Sequence, residues 1–297
     1  MIAETGSSTF NQGSVPELVQ RHWALSGVRA RPGARRTGTV SVIDSDQGSF
    51  VVKVAGSWKA ETTLERDLGG LEYLRRAGFQ LAPELLRTSS GDSCVRLGIA
   101  HIYLLKFREG ETSAASVVTY QDLGRLAAAL HSVPGFPYVS ERHPAACLPR
   151  LADLTARYSL GDAYLGLIVA NMRILQRCSS AVCHFALSPG NTVVSPVGGM
   201  TLVGCGELGL GPAVFDLGGP LVTQFVTEGL EFRRDWAEAF YGGYFSARPL
   251  SPVERQLIFT AGLMWAGLNV MYGDAAANVR RLRWAFEHSS VLQAPML

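Results

Sequence analysis

Apolar residues in the first third of the chain follow strand-like and helix-like spacing in turn. Residues 39–43 (TVSVI) and 49–54 (SFVVKV) are rich in β-branched residues, and the polar residues 44–48 between them have turn chemistry. Residues 61–78 (ETTLERDLGGLEYLRRAG) space their leucines three to four apart and end on glycine. Two strand-like runs follow, SCVRLGI and HIYLLKF, and an earlier helix is expected at SVPELVQRHWAL. The pattern predicts a small antiparallel sheet carrying one helix.

From residue 107 onward the spacing becomes mainly helical. Apolar residues recur every three to four positions in TYQDLGRLAAALHSV, LPRLADLTARYSL, YLGLIVANMRILQRC, EFRRDWAEAFYGGYF and SPVERQLIFTAGLMWAGLNVMYG. A β-like island at residues 184–209 indicates a loop followed by a short hairpin. We therefore expect an α+β protein of two lobes. Residues 1–106 would form the β-rich lobe, and residues 107–297 the larger helical lobe.

Composition narrows the classes of function. The chain is 47% hydrophobic and 18% charged with a net charge of +2, which argues against disorder and gives no footprint for nucleic acid. Its five cysteines form no CxxC pair, which is typical of reduced thiols, and its first 14 residues contain no apolar run. We expect a cytoplasmic protein that neither carries a signal peptide nor enters a membrane.

Five strings, in this order, resemble the aminoglycoside phosphotransferase and choline-kinase-like branch of the protein-kinase-like fold. They are FVVKV, IYLLKFREGETS, LGRLAAALHSVPG, HFALSPGNTVV and LVGCGELGLGPAVFDLG. The third is similar to the family's LG-x-x-LA-x-LH helix, the fourth to HGDLHPGNVLV, and the fifth to IDWEDAGxGPxxFDLA. The resemblance implies a bilobal fold with a small β-rich N-lobe and a larger helical C-lobe.

The same resemblance implies that two acids of the family are missing. The catalytic Asp of HGD, which accepts or orients the proton of the substrate hydroxyl, corresponds to Ala186. The Asp of IDW, which binds Mg²⁺ between the phosphates, corresponds to Gly204 when counted back from the GLGP string. A methyl group and a hydrogen atom can perform neither task. Ordinary kinase chemistry and a bound metal are therefore not expected.

Other positions of the family's nucleotide site are kept. Lys53 corresponds to the strand lysine that meets the ATP phosphates, Asp67 to its acidic helix partner, with Glu65 as the alternative, and Asn191 to a second metal ligand. Two plainer explanations stay open: Lys53 as a solubilising lysine on an edge strand, and Asn191 as a turn residue after Pro-Gly. We expect a vestigial nucleotide site with no required cofactor, and residual ATP binding is left open.

His184 and Asp216 correspond to residues that build the loop in related folds. The histidine would pack under the metal-binding segment, and the aspartate would hold the loop backbone through hydrogen bonds. His184 also joins Glu207 and Glu109 as a candidate acid or base, although the two glutamates are equally explained as solvated surface carboxylates.

Further alternatives remain at the cysteines and at the first turn. Cys183, His184 and Cys205 are candidates for a zinc site or for a Cys–His nucleophile, with buried small apolar side chains as the simpler explanation. The family's nucleotide-covering loop has no G-x-G-x-x-G here, and Arg35 and Arg36 are candidate phosphate contacts or an exposed basic turn.

These observations favour a pseudokinase: a phosphotransferase fold that binds a peptide, a small-molecule substrate or a partner enzyme in a bacterial biosynthetic pathway. A second hypothesis is an ATP-independent enzyme on the same scaffold, such as a cyclase or accessory subunit in lanthipeptide-type (RiPP) peptide modification. A third is an ATP-dependent small-molecule kinase with relocated acids. Oligomeric state is left undetermined.

Overall fold

A computed structural model of the chain describes residues 15–31, 40–56, 61–139, 144–271 and 273–296, so Arg35 and Arg36 lie outside the described residues. Contacts between residues divide the chain into two units. The first comprises Met1–Glu72 with Pro83–Arg108, and the second comprises Tyr73–Ala82 with Glu109–Leu297. No helix of the described residues is long and apolar enough to cross a membrane.

The first unit is built on an antiparallel sheet. Its elements are α1 (Val15–Trp23), β1 (Arg29–Ala30), β2 (Val40–Ser45), β3 (Gly48–Ala55), α2 (Glu61–Arg76, continuing into the second unit), β4 (Leu85–Leu86), β5 (Val95–Leu97) and β6 (Ala100–Lys106). The strand order is β1-β2-β3-β6-β4, and β5 also pairs with β6. The predicted turn joins β2 to β3, with Ser45 opposite Gly48 at φ +123°. The predicted strands and helix are therefore confirmed, and two short strands join them.

Apolar residues on one face of this sheet form a core with α1, and Ala55 packs separately with Leu64 and Leu68 of α2. Val19, Val52, Ile102 and Leu104 are each 0% exposed. Trp23 joins the same cluster, and its indole N–H donates to the Leu86 carbonyl at 3.0 Å. The alternation of β-branched residues in the sequence thus corresponds to the buried face of the sheet.

The second unit is mainly helical. Its helices are α3 (Val117–His131), α4 (Pro144–Arg157), α5 (Asp162–Leu175), α6 (Val214–Thr223), α7 (Arg234–Ala247), α8 (Pro252–Leu268), α9 (Ala275–Glu287) and α10 (Ser289–Gln293). Its strands are β7 (Glu111–Thr112), β8 (Ser180–Cys183), β9 (Thr192–Val194), β10 (Met200–Leu202) and β11 (Gly209–Pro212). They form the sheets β10-β9-β7 and β11-β8. The predicted island is confirmed as a loop followed by the β9–β10 hairpin.

Close helix crossings fix the elements that carry the candidate site. A Cβ on Gly218 of α6 would lie 2.4 Å from the Gly262 nitrogen of α8, and a Cβ on Gly124 of α3 would lie 2.1 Å from the Phe240 carbonyl oxygen of α7. Glycine at these positions lets the helix backbones approach each other. As a result, α3, α6 and α7 each bring one polar side chain to the same buried point.

Candidate functional site

The loop between β8 and β9 is held from below by Asp216. This residue lies in the first turn of α6, where the helix dipole favours a carboxylate, and it is 2% exposed. Its Oδ2 accepts from the His184 backbone N–H and its Oδ1 from the Phe185 backbone N–H, each at 2.6 Å. Charge-assisted hydrogen bonds to two successive backbone donors fix the direction of the loop. The predicted role of Asp216 is confirmed.

Asp216 is in turn anchored by a chain of buried hydrogen bonds. His131 on α3 places Nε2 at 3.0 Å from Asp216 Oδ2 and Nδ1 at 2.9 Å from the Tyr244 hydroxyl on α7. Arg248 donates to that hydroxyl at 2.7 Å. Because arginine can only donate, the Tyr244 hydroxyl accepts from Arg248, and its contact with Nδ1 completes a continuous chain from Arg248 through Tyr244 and His131 to Asp216. Burial raises the pKa of Tyr244, which keeps its hydroxyl protonated.

Ala186 and Gly204, the two positions that the string comparison assigns to the family's acids, lie together at the other end of the loop. Asn191 Nδ2 donates to the Ala186 carbonyl at 2.7 Å, and the Asn191 carbonyl accepts from the Val203 N–H at 2.8 Å. A Cβ on Gly204 would lie 2.8 Å from Asn191 Oδ1. His184 is fully buried beneath this segment, with Nε2 at 3.4 Å from the Val203 carbonyl oxygen. Asn191 closes the Pro189–Asn191 turn, as its explanation as a turn residue predicts, and its side chain also lies between the Ala186 and Gly204 positions.

The groups around Asn191 do not fit a divalent cation. Ala186 and Gly204 offer no side-chain oxygen, and the side chain of Asp216 is 0% exposed, accepts from two backbone N–H groups and contacts His131 Nε2. Mg²⁺ requires near-octahedral oxygen coordination, usually with one or two carboxylates. Among the described residues, one set of three His, Cys, Asp or Glu ligand atoms lies within 4.8 Å, and it is the buried trio His131, Cys183 and Asp216.

The structure does not gather Cys183, His184 and Cys205 into a zinc site, and it makes Cys183 unsuited to act as a nucleophile. The trio that the structure brings together contains neither His184 nor Cys205. Cys183 is fully buried, and its thiol lies 3.5 Å from the Gly211 carbonyl oxygen and 3.6 Å from that of Pro212. Burial raises the pKa of this thiol well above its usual range, so it stays protonated and behaves as a small apolar side chain.

Lys53 and Asp67 belong to the first unit. Lys53 lies on β3 between Val40 of β2 and Tyr103 of β6, so the explanation as an edge-strand lysine is wrong. Asp67 is 3% exposed, and one of its oxygens lies 3.5 Å from the Arg66 guanidinium. The alternative acid, Glu65, is exposed. Asp67 is thus the buried acid of α2, and its pairing with Lys53 stays a prediction.

Comparison with known proteins decides the family. A model described as the phosphotransferase enzyme family matches residues 28–250, well over half of the chain. The chain belongs to this phosphotransferase family. No curated protein sequence matches it.

Solved structures of family enzymes share the fold at low identity. An aminoglycoside phosphotransferase from Alicyclobacillus acidocaldarius is 15% identical with a TM-score of 0.67, over 95% of this chain and 94% of that one. Choline kinase LicA from Streptococcus pneumoniae is 17% identical with a TM-score of 0.61, over 95% and 98%. An amicoumacin kinase in complex with AMP-PNP and Ca²⁺ is 13% identical with a TM-score of 0.67, over 95% and 94%. The fold is therefore the protein-kinase-like phosphotransferase fold.

The loop between β8 and β9 also departs from the family string at Phe185, which stands at the glycine of HGD. Its φ of +59° lies in the left-handed region, which is a genuine outlier for a bulky side chain. The ring is buried, centred 6.1 Å from the ring of Trp265 on α8, and a Cβ on Gly211 would lie 2.9 Å from its Cζ. The Asp216 hydrogen bond and this packing hold Phe185 in a conformation that costs about 1–2 kcal/mol.

A cavity of about 320 Å³ opens beside this loop, within the second unit. Its walls come from the loop, from α6 and from the end of α8, and they include Ala186, Ser188, Gln224, Trp265 and Asn269. Its size is at the lower end of the roughly 300–1,000 Å³ that is usual for small-molecule pockets. The candidate bases Glu109, which is exposed, and Glu207, which is half-buried, are not among its lining residues.

Proposed function

We propose that this member of the phosphotransferase family has lost phosphoryl transfer and acts as a pseudokinase that binds a substrate, a peptide or a partner enzyme. The observation that carries the proposal is the position of the Asn191 side chain. That side chain donates to the Ala186 carbonyl, and its Oδ1 would lie 2.8 Å from a Cβ on Gly204, so the two positions that correspond to the family's acids adjoin without an acid at either.

Phosphoryl transfer depends on these groups more than on any others. The protein's contribution to the reaction is positioning of the nucleophile and neutralisation of phosphate charge by metal ions. A side chain at Ala186 that cannot accept a proton removes the first contribution, and a residue without a side chain at Gly204 removes a metal ligand from the second. ATP and Mg²⁺ would supply the phosphoryl group and the charge neutralisation in an active relative.

The architecture of the loop supports a retained binding role. Asp216, His131 and Tyr244 still form a buried network beneath the loop, although no acid remains for that network to position. Buried polar networks are costly unless every member is satisfied. Their presence beside a cavity of about 320 Å³ supports a loop that shapes a binding surface.

Thermal unfolding with nucleotide tests the proposal directly. A ligand that binds only the folded state raises the melting temperature in proportion to its occupancy. ATP with Mg²⁺ should shift the melting temperature no more than ATP with EDTA, and phosphate release should stay at the level of a buffer blank. A clear Mg²⁺-dependent rise, or ATP turnover by the natural sequence, would overturn the proposal.

A double variant with acids at both positions provides the positive control for the thermal unfolding experiment. The double variant Ala186→Asp, Gly204→Asp should gain Mg²⁺-dependent stabilisation by ATP, whereas Ala186→Asn, Gly204→Asn, with the same size and no charge, should not. Residue 204 has a φ of +72°, where Asp and Asn are tolerated better than other side chains, so both variants carry the same backbone cost. Equal responses of the two variants would show that these positions do not form the metal site.

The pathway is part of the same proposal. We propose a role in a bacterial biosynthetic pathway, with an accessory subunit or cyclase of lanthipeptide-type peptide modification as the alternative, by analogy with the family that its five strings resemble. Incubating the protein with the products of neighbouring genes, with and without ATP, and reading the mixture by mass spectrometry tests this role. Co-purification without a mass change supports a binding subunit. A product formed without ATP would replace it with a catalytic role such as cyclisation.

A further inference from the structure

The cavity beside the loop has an unusual balance of charge and polarity. Its lining contains no lysine, arginine, histidine or glutamate, and its single aspartate, Asp216, has a side chain that is 0% exposed. The other polar groups are neutral hydroxyls and amides: Ser188, Asn191, Thr223, Gln224 and Asn269. Phe185, Phe215 and Trp265 form its aromatic wall, in which Trp265 is the most exposed of the three residues at 9%.

These features select against charged ligands. A cation inside the cavity would lose its hydration without reaching a carboxylate oxygen, because both Asp216 oxygens are covered by the loop backbone and by His131. An anion would be repelled by the same buried charge and would find no basic side chain in the lining. A neutral ligand avoids both costs.

One hydroxyl faces this cavity without an internal partner. The Ser188 side chain is half-buried and makes no hydrogen bond to any residue that the structure describes. The neighbouring polar groups are used internally: Gln224 donates to the Leu187 carbonyl, and Thr223 donates to the Gly219 carbonyl at 2.8 Å. A hydroxyl both donates and accepts, so Ser188 is suited to an amide or an alcohol.

From these contacts we infer that the cavity binds an uncharged ligand that joins a flat apolar ring to an amide or hydroxyl group. The ring lies against the aromatic wall, and the polar group bonds to Ser188. The inference rests on the proposed binding role and names the chemical class of its ligand. It separates this protein from a receptor for amino-sugars or quaternary amines, both of which bring a positive charge.

Three probes of one size and different charge test the inference: benzamide, benzylamine and benzoate. Binding is followed by the indole N–H signal of Trp265 in NMR titrations, assigned with Trp265→Phe. Benzamide should bind, and benzylamine and benzoate should each bind at least about tenfold more weakly, with benzoate weakest. Equal or tighter binding of either charged probe would overturn the inference.

Variants of Ser188 locate the polar contact. Ser188→Ala should weaken benzamide about fivefold, the loss of one hydrogen bond. Ser188→Asp should reverse the order of benzamide and benzylamine. Ser290→Ala is the matched control, because Ser290 is an exposed residue of α10 that does not line the cavity. An unchanged benzamide affinity in Ser188→Ala would refute the inference, whereas the ATP and Mg²⁺ melting result would stand, so the two proposals fail separately.

Discussion

The two ends of the loop after β8 differ in what holds them. At the first end, the backbone N–H groups of His184 and Phe185 donate to a buried carboxylate at 2.6 Å. At the second end, Ala186 and Gly204 flank the Asn191 amide, and no acid stands at either position. The bonds that build the loop therefore come from α3, α6 and α7 beneath it. They do not involve the side chains of Ala186 and Gly204, so the shape of the loop does not depend on what stands at those two positions.

The largest predicted effect falls on the carboxylate that builds the loop. Asp216→Asn would turn an amide N–H toward the His184 or Phe185 backbone N–H, which can only donate, so that buried N–H would lose its acceptor. We expect the free energy of unfolding to fall by about 3–5 kcal/mol. Urea denaturation measures it. Asp122→Asn, at a residue whose side chain is 45% exposed and pairs with Arg125, should cost less than about 1 kcal/mol. Similar losses in both variants would refute the view that Asp216 carries the loop.

Sequence patterns predicted the parts of this picture that depend on local spacing or on one motif. Strands β2 and β3 and helix α3 followed from apolar periodicity, and Ala186 was found because it interrupts a recognisable string. Helix α6 is not among the helices that the spacing predicts, because its residues Val214–Val222 are all buried and show no amphipathic period.

The residues that anchor the loop could not be identified until the fold was known. His131 stands in the predicted LG-x-x-LA-x-LH helix, but its contact with Tyr244 joins residues 113 positions apart. No local rule connects them, although the terminal histidine of that string was a signal that could have been followed. The position of Lys53 on a central strand likewise depends on strand order, which local pattern does not contain.

The second-largest predicted effect concerns Phe185, which lies between the two ends of the loop after β8. Phe185→Ala should lower the free energy of unfolding by about 3 kcal/mol, because the ring leaves a gap beside Trp265 and Gly211. Phe185→Gly should be about 1 kcal/mol more stable than Phe185→Ala, because glycine accepts the φ of +59° without strain. Chemical denaturation of both variants gives the comparison. An alanine variant as stable as the glycine variant would show that the loop relaxes out of the left-handed conformation.

A smaller effect is expected where the network reaches Arg248. Tyr244→Phe removes the hydroxyl between Arg248 and His131 Nδ1 and should cost about 1–2 kcal/mol. Tyr138→Phe is the control, because the Tyr138 hydroxyl makes no hydrogen bond to a described residue, and its loss should be within about 0.5 kcal/mol. Hydrogen exchange should then be faster at the His184 and Phe185 amides in Tyr244→Phe alone. Unchanged exchange at these two amides would show that the hydrogen bonds of Tyr244 do not stabilise the loop.

The smallest predicted effect concerns Glu254, a second carboxylate that accepts hydrogen bonds from backbone N–H groups. Glu254 accepts from the Ser179 N–H at 2.9 Å, just before β8, and from the Ser251 N–H at 3.1 Å, and it is only partly buried. Burial alone would raise its pKa, but the hydrogen bonds from Ser179 and Ser251 together outweigh that contribution and lower the pKa to about 2.

The direction of the pH effect follows from this lowered pKa. The folded state binds the proton of Glu254 less readily than the unfolded chain, so its contribution is complete above pH 4.5 and is lost as the pH falls toward 2. Solvent screening limits that contribution to about 1 kcal/mol. The difference in unfolding free energy between the natural sequence and Glu254→Gln should therefore shrink from pH 7 to pH 3, whereas exposed Glu287→Gln should show no such trend. A difference that stayed constant across this range would mean that the charge of Glu254 does not stabilise the segment before β8. Asp216 would then be the one carboxylate of the two whose charge stabilises the backbone next to β8.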